Sequence, residues 1–284
     1  MSIVSVTIFN KEDSIIITDT NFFKFSGGEV HVQLKDLPKH TISTALIKTR
    51  IKSSDDIMEL LMVTNSLKST YGSKLPIDLV LPYLPYSRQD KISDDGESLS
   101  LKVFAELINS QEYNSVSTLD VHSDTAKALF DNFNNFEQNT IIKSFEETMD
   151  IDLLKDVVLV SPDFGASKKI YKLASEYGLT VVQSNKERDS NGHIIRTEVY
   201  RDDFNGKDVL IVDDICDGGR TFQEIAKVLK QRNVGKISLY VTHGIFSKGV
   251  DILFEDCIDK IYTTNSFIEE STDERVIVLD VLGE

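Results

Sequence analysis

Cysteine is scarce: Cys216 and Cys257 are the only two in 284 residues, too few for a disulfide framework, so an apolar core must hold the fold. No stretch approaches the roughly 20 consecutive apolar residues needed to cross a bilayer. The N-terminus lacks the basic-then-apolar run of a secretory leader, and a cytoplasmic location is expected. Basic residues are also in deficit. Thirty-one Lys and Arg face 46 Asp and Glu, a net charge of −15, which argues against nucleic acid or an anionic membrane as the main partner. An acidic protein that handles phosphates must concentrate its cations locally or borrow magnesium. The chain contains no Gly-x-x-x-x-Gly-Lys-Ser/Thr loop, which excludes a P-loop kinase, and no fixed-period repeat, which excludes a solenoid.

What is present is an ordinary globular composition, 40% hydrophobic and 27% charged, over a length that allows two domains with separate cores. The most informative stretch is Val209 to Phe222. Four apolar residues, Val209 to Val212, make a short buried strand, and Thr221 opens a run with helical spacing (Phe222, Ile225, Ala226, Leu229). The turn between them holds Asp213, Asp214, Asp217, Gly218, Gly219 and Arg220. Backbone N–H groups around the two glycines can form an anion nest, the helix N-terminus adds partial positive charge, and the Thr221 hydroxyl can donate to a phosphate oxygen. Asp213 and Asp214 can accept from vicinal sugar hydroxyls or hold a cation; they can also simply end a strand and cap a helix. Cys216, with no thiol or imidazole beside it in sequence, reads as a small buried residue.

The rest of the chain alternates strand and helix. Strands are expected at Ile3–Phe9, Ser14–Ile17, Val30–Leu34 and Thr41–Lys48, with Phe22–Glu29 as a loop whose aromatics supply at least two core anchors. A helix follows Ser53 and stops before Gly72, and Pro76–Leu81 is the next buried strand. At its carboxyl end, where open parallel sheets place ligands, comes Pro82–Lys91. There Arg88 can fork onto a phosphate, and Gln89 and Asp90 offer polar edges, although such a cluster is as readily a solvated surface. Val116–Leu119 runs into His122, suited to a metal or phosphate contact or to a structural role. A helix over Asp124–Phe130 and an Asn-rich connection, Asn132–Asn139, follow. The domain boundary is placed near Glu147, giving units 1–146 and 147–284. The second half continues with Val157–Ser161, the turn Pro162–Gly165 and helix Ala166–Tyr177. There Asp163 can coordinate magnesium or cap the helix. Next come strand Leu179–Gln183, a polar loop Ser184–Gly192 carrying Lys186 and Arg188, and later strands at Lys236–Thr242, Ile258–Tyr262 and Val276–Leu279.

Six stretches in order, Phe25–Glu29, Pro82–Lys91, Leu119–Phe130, Ser161–Gly165, Lys186–Arg188 and Asp213–Thr221, resemble the ribose-phosphate pyrophosphokinase family of the phosphoribosyltransferase-like superfamily. The resemblance implies an α/β protein of two tandem phosphoribosyltransferase-like domains, with mainly parallel sheets flanked by helices. It implies Mg2+-dependent transfer of pyrophosphate from ATP to the 1-hydroxyl of ribose 5-phosphate. Ribose 5-phosphate would lie on Asp213, Asp214, Asp217, Gly218, Gly219, Arg220 and Thr221, and MgATP between the halves on Phe25, Glu29, Arg88, Gln89 and Asp90. His122 and Asp163 would serve the metal, Lys186 and Arg188 would form the basic pair of a catalytic loop, and His122 would share in the chemistry. A homo-oligomer is implied, because the Phe25–Glu29 loop of that family reaches a neighbouring subunit's ATP site. Two other readings share the central turn: a phosphoribosyltransferase that consumes PRPP, and a non-catalytic regulatory subunit. This chain departs from the family in carrying Gly27 where Asp is usual, an acidic Ser93–Glu97 where Arg is common, and Gly218-Gly219-Arg220 in place of a Thr/small/Gly run. Without Asp at position 27, weaker selectivity among nucleotide bases is expected, because stacking tolerates any base.

Overall fold

The computed structural model describes residues 4–10, 15–18, 20–38, 42–188, 194–255 and 257–283. The chain divides into two units, 1–136 and 137–284.

The first unit opens with β1 (Val4–Asn10) and β2 (Ile15–Thr18), paired antiparallel. β3 (Thr20–Lys24) and β4 (Val30–Leu34) then form a separate antiparallel ribbon, in which Val30, Val32 and Leu34 are buried and the residues between them exposed. The expected loop at Phe22 is therefore strand as far as Lys24, because Phe22 pairs with Val32 and Phe23 with His31. β5 (Ile42–Thr49) follows, then α1 (Ser54–Tyr71). A capping box starts α1: Ser53 Oγ accepts from Asp56 N–H at 3.3 Å, and Asp56 Oδ2 accepts from Ser53 N–H at 2.7 Å. Its inner face buries Ile57, Leu60, Val63, Thr64 and Leu67. β6 (Ile77–Val80), α2 (Ser100–Asn109), β7 (Ser115–Leu119), α3 (Thr125–Leu129) and β8 (Phe133–Phe136) complete the unit. The six-stranded sheet has the order β2-β1-β5-β6-β7-β8 and is parallel from β5 onward. Part of the expected Asn-rich connection is thus an edge strand, with Asn134 and Asn135 pairing to Ser117 and Thr118.

The second unit runs α4 (Gln138–Met149), β9 (Val158–Ser161), α5 (Ser167–Tyr177), β10 (Thr180–Arg188), β11 (Ile194–Val199), β12 (Val209–Cys216), α6 (Arg220–Lys230), β13 (Ile237–Gly244), α7 (Asp251–Glu255), β14 (Lys260–Thr264) and β15 (Val276–Leu279). Its seven strands lie in the order β11-β10-β9-β12-β13-β14-β15, all parallel except β10 with β11. Alternate residues of the central strands enter two apolar layers. Val158, Val160, Val209, Ile211, Leu239 and Val241 join Phe222, Ile225 and Leu229 of α6, whereas Leu159, Leu210, Val212 and Tyr240 join Ile142 and Phe145 of α4 and Leu173 of α5. Helices cover both faces, which is why these strands read as continuous apolar runs. The division falls at 136/137 rather than near Glu147, because Ile142 and Phe145 are fully buried in the second core. Among the described residues no helix is long and apolar enough to cross a membrane.

Candidate functional site

The turn after β12 is built around one strained glycine. Gly219 precedes α6 at φ 75°, and a Cβ there would stand 2.8 Å from Leu253 Cδ2, so any other residue is strained at position 219 and requires the buried Leu253 side chain to shift. Its carbonyl accepts from Phe222 and Gln223 N–H at 3.0 and 3.1 Å and starts the helix, while its own N–H faces the Cys216 sulfur. Asp213 Oδ1 accepts from the N–H of Asp214 at 2.9 Å, and Asp214 is buried. Arg220 is exposed rather than packed into the turn, and Cys216 is fully buried, its thiol pushed upward by burial and by Asp213 and Asp217.

Asp163, at the carboxyl end of the adjacent β9, performs two tasks. Its Oδ1 accepts from Ala166 N–H at 3.1 Å at the start of α5, while its Oδ2 lies 3.1 Å from Lys186 Nζ. Lys186 therefore does not lie on a solvated loop. β10 continues through Arg188 and pairs with β11, Lys186 opposite Thr197, and the Lys186 side chain is only 10% exposed. Arg188 closes β10; residues 189–193, where the rest of the expected catalytic loop falls, lie outside the described residues. On α5, Lys169 Nζ stands 3.8 Å from Asp214 Oδ2. The second unit thus gathers Asp163, Asp213 and Asp214 with Lys169 and Lys186 at the carboxyl ends of β9 and β12. Burial, and then the charges of Asp214 and Asp163, hold the Asp213 carboxyl well above the usual carboxylate range. Negative charge is concentrated here beyond what two lysines offset, which suits a divalent cation with hard oxygen ligands. Among the described residues no group of three or more His, Cys, Asp and Glu is disposed to hold a metal ion by itself.

Sequence reasoning missed Lys169 and Lys248. The first was hidden in a helix read as structural. The second lies on the loop after β13, at the carboxyl edge where the general rule for parallel sheets would have directed attention.

In the first unit, Phe25–Glu29 forms the tight turn of the β3–β4 ribbon: Phe25 N–H donates to Glu29 O and Gly28 N–H to Phe25 O, both at 2.9 Å, with Gly28 at φ 95°. Only Phe22 packs against the core. Phe23 and Phe25 are 42% and 53% exposed and cluster with His31, ring centroids 4.9 to 5.8 Å apart, so two expected anchors are surface aromatics. The Glu29 carboxylate folds over Gly27, its Oε2 2.5 Å from where a Cβ would be. Arg88 and Gln89 are exposed and Asp90 half-buried on the loop after β6, a loop anchored by buried Leu84 and Ser87 and by Leu101 N–H donating to Gln89 O at 3.2 Å. In the acidic stretch that follows, the Glu97 carboxylate accepts from Ser93 and Asp94 N–H at 2.9 and 3.2 Å, which lowers its pKa. His122 is exposed after the neighbouring β7, so both loops share the carboxyl edge of one sheet. Phe25 and Glu29 sit apart from them on the separate ribbon.

Residues 8–111 match the family model of the N-terminal domain of ribose phosphate pyrophosphokinase, and residues 132–280 match the phosphoribosyl transferase domain. The chain is 27% identical over 283 residues to the ribose-phosphate pyrophosphokinase of Helicobacter hepaticus, covering 97% of this chain and 89% of that one. It is 28% identical over 261 residues to the enzyme of the same name from Pyrococcus abyssi, covering 91% and 87%. Its fold matches the crystal structure of phosphoribosylpyrophosphate synthetase from Mycobacterium smegmatis with a TM-score of 0.79 at 23% identity, over 94% of this chain and 87% of the other. With the two domain models in this order along nearly its whole length, the chain belongs to the ribose-phosphate pyrophosphokinase family.

Proposed function

We propose that the protein transfers the pyrophosphoryl group of ATP to the 1-hydroxyl of ribose 5-phosphate, giving PRPP and AMP. The single observation that carries this reading is the succession of the family's two domains, with Asp213–Thr221 running from the acidic end of β12 through the turn Asp217–Gly219 into the start of α6. Asp213 and Asp214 accept from the ribose 2- and 3-hydroxyls, and the N–H groups around Gly218 and Gly219 with the Thr221 hydroxyl hold the 5-phosphate. The anomeric oxygen attacks the β-phosphorus in line, the bond to the α-phosphate oxygen breaks, AMP leaves, and the hydroxyl proton passes to solvent. Lys186 and Arg188 meet charge gathering on the transferred oxygens, while Phe25, Glu29, Arg88, Gln89 and Asp90 bind the nucleotide. Asp163 in the second unit would serve Mg2+, and His122 in the first unit is the other residue that the family resemblance assigns to the metal; Mg2+ would supply neutralisation of the phosphate oxygens.

Exposure of the Phe23–Phe25–His31 cluster supports a homo-oligomer in which this ribbon serves the ATP site of a second copy. Two unpaired thiols, Cys216 and Cys257, agree with a reducing cytoplasm as the setting. The test is purified protein with ATP, ribose 5-phosphate and a range of magnesium concentrations, assayed for AMP and PRPP in equal amounts. Absence of both at every concentration refutes the reaction, and pyrophosphate release from PRPP and a nucleobase without ATP would assign a transferase instead.

A further inference from the structure

The loop after β13 is stitched to the phosphate turn. Ile245 and Phe246 donate their N–H groups to Cys216 O at 2.8 and 3.1 Å, and Ser247 donates to Asp217 O at 3.2 Å. Phe246 lies at φ 47°, and its ring occupies the space beside Gly244, where a Cβ would come within 2.2 Å of it, so the direction in which the chain leaves is set. The next side chains, Ser247 and Lys248, are exposed and come back over the turn. Lys248 Cε and Cδ stand 3.6 and 3.7 Å from the point a Cβ on Gly218 would occupy, and Ser247 Oγ stands 3.9 Å from it. The Lys248 ammonium has no hydrogen bond or ion pair with any described residue, in a chain with 46 acidic side chains.

The charge around the turn shows what such a cation is for. Against Asp213, Asp214 and Asp217 stand Arg220 within the turn and Lys169 of α5, 3.8 Å from Asp214 Oδ2. A phosphomonoester above its second pKa of about 6 brings nearly two more negative charges. Nest amides and a helix N-terminus amount to roughly half a positive charge. Gly218 also lacks the side-chain hydroxyl that a Thr would offer, and its missing side chain leaves open the lane along which Lys248 runs.

We propose that Lys248 is a further binding residue of the cradle, its ammonium contacting the 5-phosphate dianion from the side that Gly218 leaves open. The proposal rests on the reading of Asp213–Thr221 as the ribose-phosphate turn, and takes a sugar 5-phosphate as its ligand class. The experiment is calorimetric titration of the full chain with ribose 5-phosphate at pH 8 without ATP, comparing wild type, Lys248→Met and Lys248→Arg. Lys248→Met keeps the stem and removes the charge. Loss of a charge-assisted hydrogen bond weakens binding by about tenfold or more, and the arginine variant retains affinity within about threefold. The KM for ribose 5-phosphate rises with the Kd in Lys248→Met while that for ATP does not. Equal affinity of wild type and Lys248→Met overturns the proposal, and if PRPP still forms the reaction stands without it. A wild type that binds ribose 5-phosphate more tightly than Lys248→Met but makes no PRPP keeps Lys248 in the cradle and ends the reading of the reaction. No binding by wild type overturns both.

Discussion

Replacing Lys186 tests the chemistry and the fold together, because the structure gives this side chain two attachments. Its ammonium lies 3.1 Å from Asp163 Oδ2, its own side chain is 10% exposed, and that of Asp163 is 42% exposed. At an effective dielectric of about 20 the gross Coulomb attraction at this separation is about 5 kcal/mol. Screening at the exposed Asp163 end and desolvation of the lysine cut the net to about 1 kcal/mol. A lysine on an exposed loop would change stability by less than about 0.5 kcal/mol, so this ion pair makes Lys186 the more consequential position. Lys186→Met keeps the stem packed and should lower Tm by about 2–4 °C for a unit of this size. If the ammonium also meets charge that develops at the transferred phosphate, kcat falls by roughly 10²-fold or more, equivalent to about 2.7 kcal/mol, with the ribose 5-phosphate KM within a few-fold. A cycle with Asp163→Asn separates the effects, since the stability coupling should be about 1 kcal/mol. A kcat within threefold of wild type would remove Lys186 from catalysis, and additive stabilities in the cycle would show that the ion pair contributes nothing.

Gly219→Ala should cost about 1–3 kcal/mol in a denaturant titration, because φ 75° and the 2.8 Å approach to Leu253 both oppose a Cβ; an unchanged midpoint refutes this. Asp213→Asn should raise the Tm of the unliganded protein at pH 8. A carboxyl whose folded pKa is raised costs native stability as pH rises from the ordinary carboxylate value through the folded one, and the amide removes that cost. The same variant should raise the ribose 5-phosphate KM by about tenfold, since a charged acceptor is lost. Glu29 places its carboxylate over Gly27, where an acceptor for a base amino group was missing, so Glu29→Gln should lower the ATP-to-GTP ratio of kcat/KM by about tenfold. A ratio unchanged in that variant would assign base selection elsewhere.

Whatever depends on neighbours along the chain was legible in the sequence. The buried run Val209–Val212 and the periodic Phe222, Ile225 and Leu229 describe a strand and a helix through local chemistry alone, and the structure has them at β12, which runs on through Asp213 and Asp214 to Cys216, and at α6. Ser53 likewise announced the start of α1, and the structure completes the cap by a hydrogen-bond exchange with Asp56. Pairing was not legible: Phe22 and Phe23 became strand because Val32 and His31 lie across a turn, and the polar residues from Ser184 to Arg188 became strand because β11 lies beside them. Polar residues carry no apolar period, so only a partner's hydrogen bonds decide their conformation. Burial and charge are decided later still. Lys186 meets Asp163 across 23 residues and Lys248 returns over Gly218. Burial, with the charges of Asp214 and of Asp163 on another strand, shifts the Asp213 carboxyl upward. Each of these follows from distances in space that order along the chain does not contain, and in this protein they set the electrostatics of the candidate site.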